Sequence, residues 1–214
     1  MYKILVVSLP ASPKRAVMTQ RLSAQKLSWE WLDGVRISSM DDVLREERND
    51  LEAYGVKRLK NAPEYVCRAV GCKRAMRRAI NRASSCFEDW VLILQDDAIP
   101  AESFDSKLTE LFEQIPDQTG CVMLHWVGKG VTKRGGWTHV TGDVRSMTAF
   151  VLRPAFALTM ARALKHWGRE TDRVWECLAR QGELILAANP MLVSCNQNGS
   201  DIIGGIPELK KLWD

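Results

Sequence analysis

The sequence lacks the features that mark several large classes of protein. No apolar run approaches the roughly 20 residues that a membrane-spanning helix needs, and the first residues do not have the layout of a secretory signal peptide. The 214 residues contain no internal repeat and no low-complexity segment. Hydrophobic residues make up 46% of the chain and charged residues 26%, which are ordinary values for a globular protein. We therefore expect one cytoplasmic domain that spans residues 1–214.

Residues that build structural zinc sites are also scarce. The chain has three histidines, and its six cysteines include no Cys-x-x-Cys pair, so a structural zinc site is poorly supported. We expect free, mostly buried thiols in a reducing compartment, and no cysteine stands out as a nucleophile. The cysteines are Cys67, Cys72, Cys86, Cys121, Cys177 and Cys195.

Positive charge is concentrated in one segment of the chain. Residues 57–82 hold nine lysines and arginines against one acid, Glu64, so this segment carries +8 and the remainder −4 of a total of +4. A field of this kind favours anionic partners: a nucleotide diphosphate, a phosphorylated glycan, an acidic lipid surface or nucleic acid. The ordinary alternative is a solvated face of a helix.

Strand-like and helix-like patterns alternate along the chain. Buried strands are predicted at 4–8, 29–32, 90–94, 121–124, 148–152, 184–187 and 191–194, and helices at 14–26, 68–83, 103–115, from 154 and from about 172. This alternation predicts an α/β domain. Residues 127–146 contain five glycines among basic residues, which predicts a long loop, with a plain β-hairpin as the alternative.

The most informative stretch is an apolar strand that ends in two carboxylates. The strand at 90–94 runs directly into Gln95, Asp96 and Asp97. Ligands of open α/β sheets bind at the carboxyl ends of such strands, and two acids there can hold a divalent cation against phosphates. The alternative is a turn whose two acids are solvated.

Taken in order, several segments resemble glycosyltransferase family 25, best known from bacterial lipooligosaccharide galactosyltransferases. The segments are KILVVSLPASPKR (3–15), WEWLDGVRI (29–37), VGCKRAMRRAI (70–80), WVLILQDDAIP (90–100), SMTAFVLRPAFALTM (146–160) and TDRVWECL (171–178). The chain departs from the family pattern at Gln95, where the family has an acid, and at Ala75 and Met76. The resemblance implies a GT-A-like, Rossmann-type domain with a mixed central sheet flanked by helices.

The resemblance also implies an activity and a cofactor. It implies inverting transfer of a sugar from a nucleotide-sugar donor, of the UDP-hexose type, to a hydroxyl of a bacterial surface glycan. Asp97, with or without Asp96, would hold Mn²⁺ or Mg²⁺ against the diphosphate of the donor. The residues expected to contact the donor are Ser8, Leu9, Pro10, Arg15, Asp33, Gly71, Lys73, Arg74, Gln95 and Asp96.

The acceptor side of the reaction is expected to involve other segments. Asp172 is the first candidate for the base that deprotonates the acceptor hydroxyl, and His125 is the second. Capping of a helix is the structural alternative for Asp172, and a hydrogen-bonded core position is the alternative for His125. The residues expected to contact the acceptor are Lys129, Lys133, Arg134 and Trp137.

Two other functions stay open from the sequence. The first is the same reaction on nucleic acid, for instance a hydroxymethylated base in phage-like DNA, which the positive segment motivates. The second is an inactive transferase-like domain used for binding, which Gln95, Ala75 and Met76 motivate. Peripheral contact with a membrane surface is compatible with the positive segment.

Overall fold

The computed structural model describes residues 1–47, 63–166 and 171–195. The strands are β1 (Tyr2–Ser8), β2 (Glu30–Asp33), β3 (Trp90–Gln95), β4 (Ala98–Pro100), β5 (Cys121–Met123), β6 (Val127–Gly128), β7 (Val131–Arg134), β8 (Trp137–Val140), β9 (Val144–Arg145), β10 (Ala149–Leu152), β11 (Ile185–Ala187) and β12 (Val193–Cys195). The helices are α1 (Lys14–Ala24), α2 (Pro63–Ala83), α3 (Phe104–Gln114), α4 (Pro154–His166) and α5 (Val174–Arg180), with 3₁₀ turns at Met40–Asp42 and Thr171–Arg173. Within these ranges, no helix is long and apolar enough to cross a membrane.

Eight of the strands form one mixed sheet in the order β2-β1-β3-β10-β5-β11-β8-β7. β1, β2 and β3 are parallel, β10 runs antiparallel between β3 and β5, and β11 is parallel to β5. The carboxyl ends of β1, β2, β3 and β5 therefore meet at the same edge of the sheet. This arrangement confirms the predicted α/β class with a mixed central sheet flanked by helices.

Helices cover both faces of the sheet. Leu5 and Val7 of β1 pack in one apolar cluster with α2, α4 and α5, and Ile4 and Val6 pack in a second cluster with α1 and α3. A strand that is buried on both faces needs apolar residues at every position rather than at alternate ones. The continuous apolar runs of β1 and β3 have this origin.

The predicted long loop at 127–146 is wrong, because the structure forms strands there. β7 and β8 are a hairpin joined by Gly135 and Gly136, whose φ angles of 57° and 82° suit the tight turns that glycine permits. The hairpin extends the large sheet, and β6 pairs separately with β9. A Cβ on Gly130 would lie 2.2 Å from the amide nitrogen of Asp143, so glycine is needed where these backbones approach.

The six cysteines are free thiols, as the sequence predicts. Cys67 and Cys121 are buried, but the other four are partly exposed. The expectation that most of these thiols are buried is therefore wrong.

Helix α2 lies unusually close to the segment that follows β2. The helix begins at Pro63, before the predicted start at residue 68, so Gly71 lies in its interior. A Cβ on Gly71 would lie only 2.4 Å from the carbonyl oxygen of Val35. Glycine at this position therefore sets the distance between α2 and the segment after β2.

Replacing Gly71 by alanine is expected to destabilise the protein by roughly 1–3 kcal/mol, as overpacking does. This is opposite in sign to helix propensity, which favours alanine over glycine by about 1 kcal/mol. Urea denaturation measures the free energy of unfolding. Asn81→Ala, at an exposed position of the same helix, is the control and should be neutral or slightly stabilising. A Gly71→Ala protein as stable as the wild type would contradict the close contact.

Candidate functional site

A cleft of about 1410 Å³ opens at the carboxyl ends of β1 and β3. Its walls are the loop at 9–13, the segment at 34–40 and the first half of α2, and it reaches Gln95, Asp96 and Asp97 after β3. Typical small-molecule sites occupy roughly 300–1,000 Å³, so this cleft has room for a ligand as large as a nucleotide sugar. Of the residues predicted to contact a donor, the cleft collects Ser8, Leu9, Pro10, Gly71, Gln95 and Asp96.

Asp96 ties the loop after β1 to the end of β3. Its Oδ2 accepts hydrogen bonds from the hydroxyl groups of Ser8, at 2.5 Å, and Ser12, at 3.0 Å. Hydrogen bonds to a charged acceptor are the stronger kind, commonly about 1.5–3 kcal/mol each. One oxygen of Asp96 is therefore engaged in holding the wall of the cleft.

Asp97 has one carboxylate oxygen engaged and one without a partner. Its Oδ2 accepts a hydrogen bond from the Cys195 thiol at 3.5 Å, while its Oδ1 is buried and has no hydrogen-bond partner. Burial raises the pKa of Asp97 above its ordinary value; the positive charge of Lys14 opposes this rise and the negative charge of Asp96 adds to it. A buried polar atom without a partner is costly and therefore uncommon.

The unpartnered Oδ1 fits a divalent cation that is completed by a substrate. In residues 1–47, 63–166 and 171–195, no group of three or more His, Cys, Asp or Glu side chains could hold a metal alone. Mg²⁺ sites commonly use one or two carboxylates together with phosphates and water. Asp97 is thus the residue that would hold the metal, and Asp96 is the second candidate.

Three basic side chains that the sequence analysis did not select line the cleft. These are Lys14, Arg36 and Arg68. Arg68 lies one helical turn before Gly71, so helix spacing could have found it. Lys14 and Arg36 follow the predicted strand-end loops but carry no pattern of their own. Arg68 also lies 3.7 Å from Glu64, another residue of the cleft, so its charge is partly neutralised. The positive charges of Lys14 and Arg36 favour an anionic ligand.

Arg15 and Asp33 are paired with each other rather than directed to a ligand. The Nη2 atom of Arg15 donates to Oδ1 of Asp33 at 2.5 Å and to the carbonyl oxygen of Ser8 at 2.9 Å. The guanidinium also lies 4.9 Å from the ring centre of Trp31. Neither Arg15 nor Asp33 is among the described residues that line the cleft. The pair joins the ends of β1 and β2, and contact of these two residues with a donor stays a prediction.

Lys73 and Arg74 lie near Glu47 and are not among the described residues that line the cleft. Arg74 donates to both carboxylate oxygens of Glu47, at 3.0 and 2.7 Å. Burial alone raises the pKa of Glu47, but hydrogen bonds from Arg74 and the nearby charge of Lys73 bring it below its ordinary value. Neither basic residue is among the described cleft residues, and their contact with the donor phosphates stays a prediction.

The positive segment as a whole is partly neutralised. Besides Arg74, the guanidinium of Arg82 pairs with Glu30, with contacts of 2.9 and 3.0 Å. Lys57, Arg58 and Lys60 lie outside the described residues. The uniform basic helix face that the sequence suggested is thus interrupted by ion pairs.

Asp172 lies near Cys72, a residue of the cleft. Burial raises the pKa of the Cys72 thiol to about 12, and the negative charges of Asp172 and Asp97 contribute to the rise. Cys72 lines the cleft and lies 3.9 Å from Nε2 of Gln95. Asp172 is not among the described cleft residues, but its 3₁₀ turn packs against α2.

His125 lies at the same edge of the sheet but outside the cleft. Its Nδ1 is 2.7 Å from the hydroxyl of Ser146, which also accepts the backbone N–H of Thr148 at 3.1 Å. Burial lowers the pKa of His125 below its ordinary value. β10 separates β5, which precedes His125, from β3. The structure thus places the second candidate base apart from Asp97, in the hydrogen-bonded setting that was its alternative.

The predicted acceptor contacts are spread over the β6 to β8 region. Lys129, Lys133 and Arg134 are exposed, and Trp137 packs partly against the core. β7 is five strands from β3 in the sheet, which corresponds to roughly 24 Å at about 4.8 Å per strand. Lys133 and Arg134 therefore lie far from Asp97 in the sheet, and their contact with an acceptor stays a prediction.

Comparison with solved structures finds similar folds, of which two are described here. No family model matches the sequence, and no curated protein sequence matches it. A glycosyltransferase involved in glycosylation of the major capsid of PBCV-1 has 10% identity and a TM-score of 0.42, covering 88% of this chain and 81% of that one. A mutant Drosophila beta-1,4-galactosyltransferase 7 in complex with manganese, UDP-Gal and xylobiose has 13% identity and a TM-score of 0.42, covering 92% and 71%.

Asp97→Asn is expected to stabilise the protein near neutral pH when a chelator removes metal. Folding raises the pKa of Asp97, so the ionised carboxylate destabilises the folded wild type. This cost in the free energy of unfolding is complete at pH values above the folded-state pKa. This penalty disappears as the pH falls through the folded pKa toward the unfolded one. Thermal unfolding from about pH 8 to about pH 4 should show a midpoint advantage for Asp97→Asn that shrinks with acidity.

The control for this measurement is Asp117→Asn, at an exposed position between α3 and β5. It should leave the unfolding midpoint near neutral pH unchanged from that of the wild type. An Asp97→Asn protein that is less stable than the wild type across the whole pH range would contradict the finding that Oδ1 of Asp97 has no partner.

Proposed function

We propose that the protein is a glycosyltransferase that moves a sugar from a nucleotide-sugar donor, of the UDP-hexose type, to a hydroxyl group. Mn²⁺ or Mg²⁺ is the proposed cofactor. The observation that carries the proposal is the unpartnered Oδ1 of Asp97 at the carboxyl end of β3. It lies beside a cleft that is lined by Lys14, Arg36 and Arg68. A carboxylate next to basic side chains suits a metal and a diphosphate bound together.

Departure of the diphosphate is the step that the basic side chains would assist. When the bond between the anomeric carbon and the diphosphate oxygen breaks, the diphosphate takes the electron pair and gains negative charge. Fixed positive charges at Lys14, Arg36 and Arg68 stabilise that charge as it develops. Asp97 would hold the divalent cation, which would supply Lewis-acid stabilisation to the departing diphosphate.

The donor is proposed to lie between the loop after β1 and the segment after β2. Leu9, Pro10, Val35 and Ile37 give this part of the cleft an apolar lining, which suits the flat face of a nucleoside base. Gly71 lets α2 pack closely against the carbonyl oxygen of Val35 beside this lining. The phosphates then point toward Asp97 and the sugar toward the far side of Cys72.

Asp172 is the proposed general base. In an inverting transfer, the acceptor hydroxyl loses its proton as its oxygen attacks the anomeric carbon. Its nearness to Cys72, whose pKa its charge raises, supports this role, because Cys72 lines the cleft. His125 remains the second candidate, and its hydrogen bond to Ser146 favours a structural role.

The proposed acceptor is a glycan hydroxyl, such as one on a bacterial surface glycan. The nucleic-acid alternative rests on a continuous positive face along α2, because duplex binding scales with the number of phosphates that lysine and arginine neutralise. Arg74 and Arg82 on that helix are paired with Glu47 and Glu30. These ion pairs favour the glycan over the nucleic acid.

A thermal-shift panel of nucleotides with and without Mn²⁺ tests the proposed function. UDP with Mn²⁺ should raise the unfolding midpoint, since a ligand at 100 times its Kd stabilises the folded state by about 2.7 kcal/mol. Asp97→Asn should lose the part of this response that needs metal, and Asp117→Asn should keep it. Release of UDP from UDP-hexoses should follow the same pattern. A wild-type protein that responds to no nucleotide with Mn²⁺ would contradict the proposal.

A further inference from the structure

Strand β12 places the thiol of Cys195 next to the carboxylate of Asp97. β12 pairs antiparallel with β4, and this register places Cys195 opposite Ala98, the residue that follows Asp97. The Sγ of Cys195 donates to Oδ2 of Asp97 at 3.5 Å. The other oxygen of the same carboxylate has no partner. The two oxygens of Asp97 are therefore held differently.

A third part of the fold also lies close to Cys195. Thr148, which directly precedes β10, lies beside the Cys195 thiol. The carbonyl oxygen of Thr148 accepts the backbone N–H of Gln95 at 2.8 Å. The residue before β10 thus lies next to Cys195 and is bonded to the end of β3, which Asp97 follows.

A thiol has a property here that a basic side chain would lack. A carboxylate removed from water without a donor is costly, so Asp97 without a partner would turn toward solvent or take up a proton. A lysine or arginine would hold it, but would also neutralise the charge that a cation needs. A thiol is a weak, uncharged donor, so it can orient the carboxylate and leave its charge in place.

We propose that Cys195 is a positioning residue that holds Oδ2 of Asp97, so that Oδ1 is left for the divalent cation that accompanies the nucleotide. This inference rests on the proposed function. Groups that orient a metal ligand from behind typically contribute 10-fold to 100-fold to metal affinity. Cys195 acts through Asp97 and need not touch the substrate.

The test measures Mn²⁺ binding directly, by the loss of the electron paramagnetic resonance signal of free Mn²⁺ during titration in the presence of UDP. Cys195→Ala should weaken Mn²⁺ binding by about 10-fold or more. Cys195→Ser keeps an uncharged donor and should restore most of it. UDP binding without metal should be the same in all three proteins, which separates this role from a general loss of structure.

Cys86→Ala is the matched control. Cys86 is also a partly exposed, free thiol that donates a hydrogen bond, to the carbonyl oxygen of Arg82 at 3.4 Å. It precedes β3 rather than following it, so it lies away from the cleft. Its substitution should leave Mn²⁺ binding unchanged.

The outcomes separate this inference from the proposed function. Wild-type Mn²⁺ binding that needs UDP, together with unchanged binding in Cys195→Ala, would overturn the positioning role and leave the function standing. Equal loss in Cys195→Ala and Cys195→Ser would overturn the hydrogen bond as the cause. A wild-type protein that binds no Mn²⁺ with UDP would overturn the proposed function, and this inference with it.

Discussion

A carboxylate kept largely out of water with one oxygen unpaired is the constraint on which the site depends. The folded state gives Asp97 a thiol donor on one oxygen and nothing on the other. Such an arrangement is costly, so the surrounding structure has to hold it. Asp97 directly follows β3, which lies between β1 and β10 in the sheet. It also directly precedes β4, which pairs with β12. The rigidity of the sheet keeps Asp97 in a position that it would otherwise leave.

The neighbouring carboxylate, Asp96, has different hydrogen-bond partners from Asp97 and therefore a different role. Asp96 receives two hydroxyl groups, from Ser8 and Ser12, on one oxygen. These contacts fix the loop that forms one wall of the cleft. On the opposite wall, the absence of a side chain at Gly71 lets α2 approach the carbonyl of Val35. The cleft is thus shaped by polar bonds on one side and by close backbone packing on the other.

Much of the fold could be predicted from the sequence, because burial imposes simple patterns. Strands such as β1 and β3 are apolar at every position since both faces are covered, and α2 carries its apolar residues at helical spacing. The same reasoning located the carboxyl end of β3 as the candidate site, because parallel strands present their ends at one edge. The prediction of a loop at 127–146 was wrong, because composition alone does not distinguish glycines that close a tight hairpin from glycines in a loop.

The partners of the site residues could not be predicted, because they come from segments far apart in the sequence. Nothing near Arg74 in sequence shows that Glu47 would neutralise it. Nothing near Cys195 shows that pairing of β12 with β4 would bring its thiol to Asp97. Charge runs and single cysteines become informative only when the fold supplies their neighbours.

The central claim is that Asp97 holds a divalent cation against the phosphates of a nucleotide in this cleft. Anomalous X-ray diffraction from crystals grown with Mn²⁺ and UDP tests it most directly. The account predicts a manganese peak in direct contact with Oδ1 of Asp97 and with the phosphate oxygens of UDP. UDP bound in the cleft with no manganese at Asp97, or manganese held elsewhere, would contradict it.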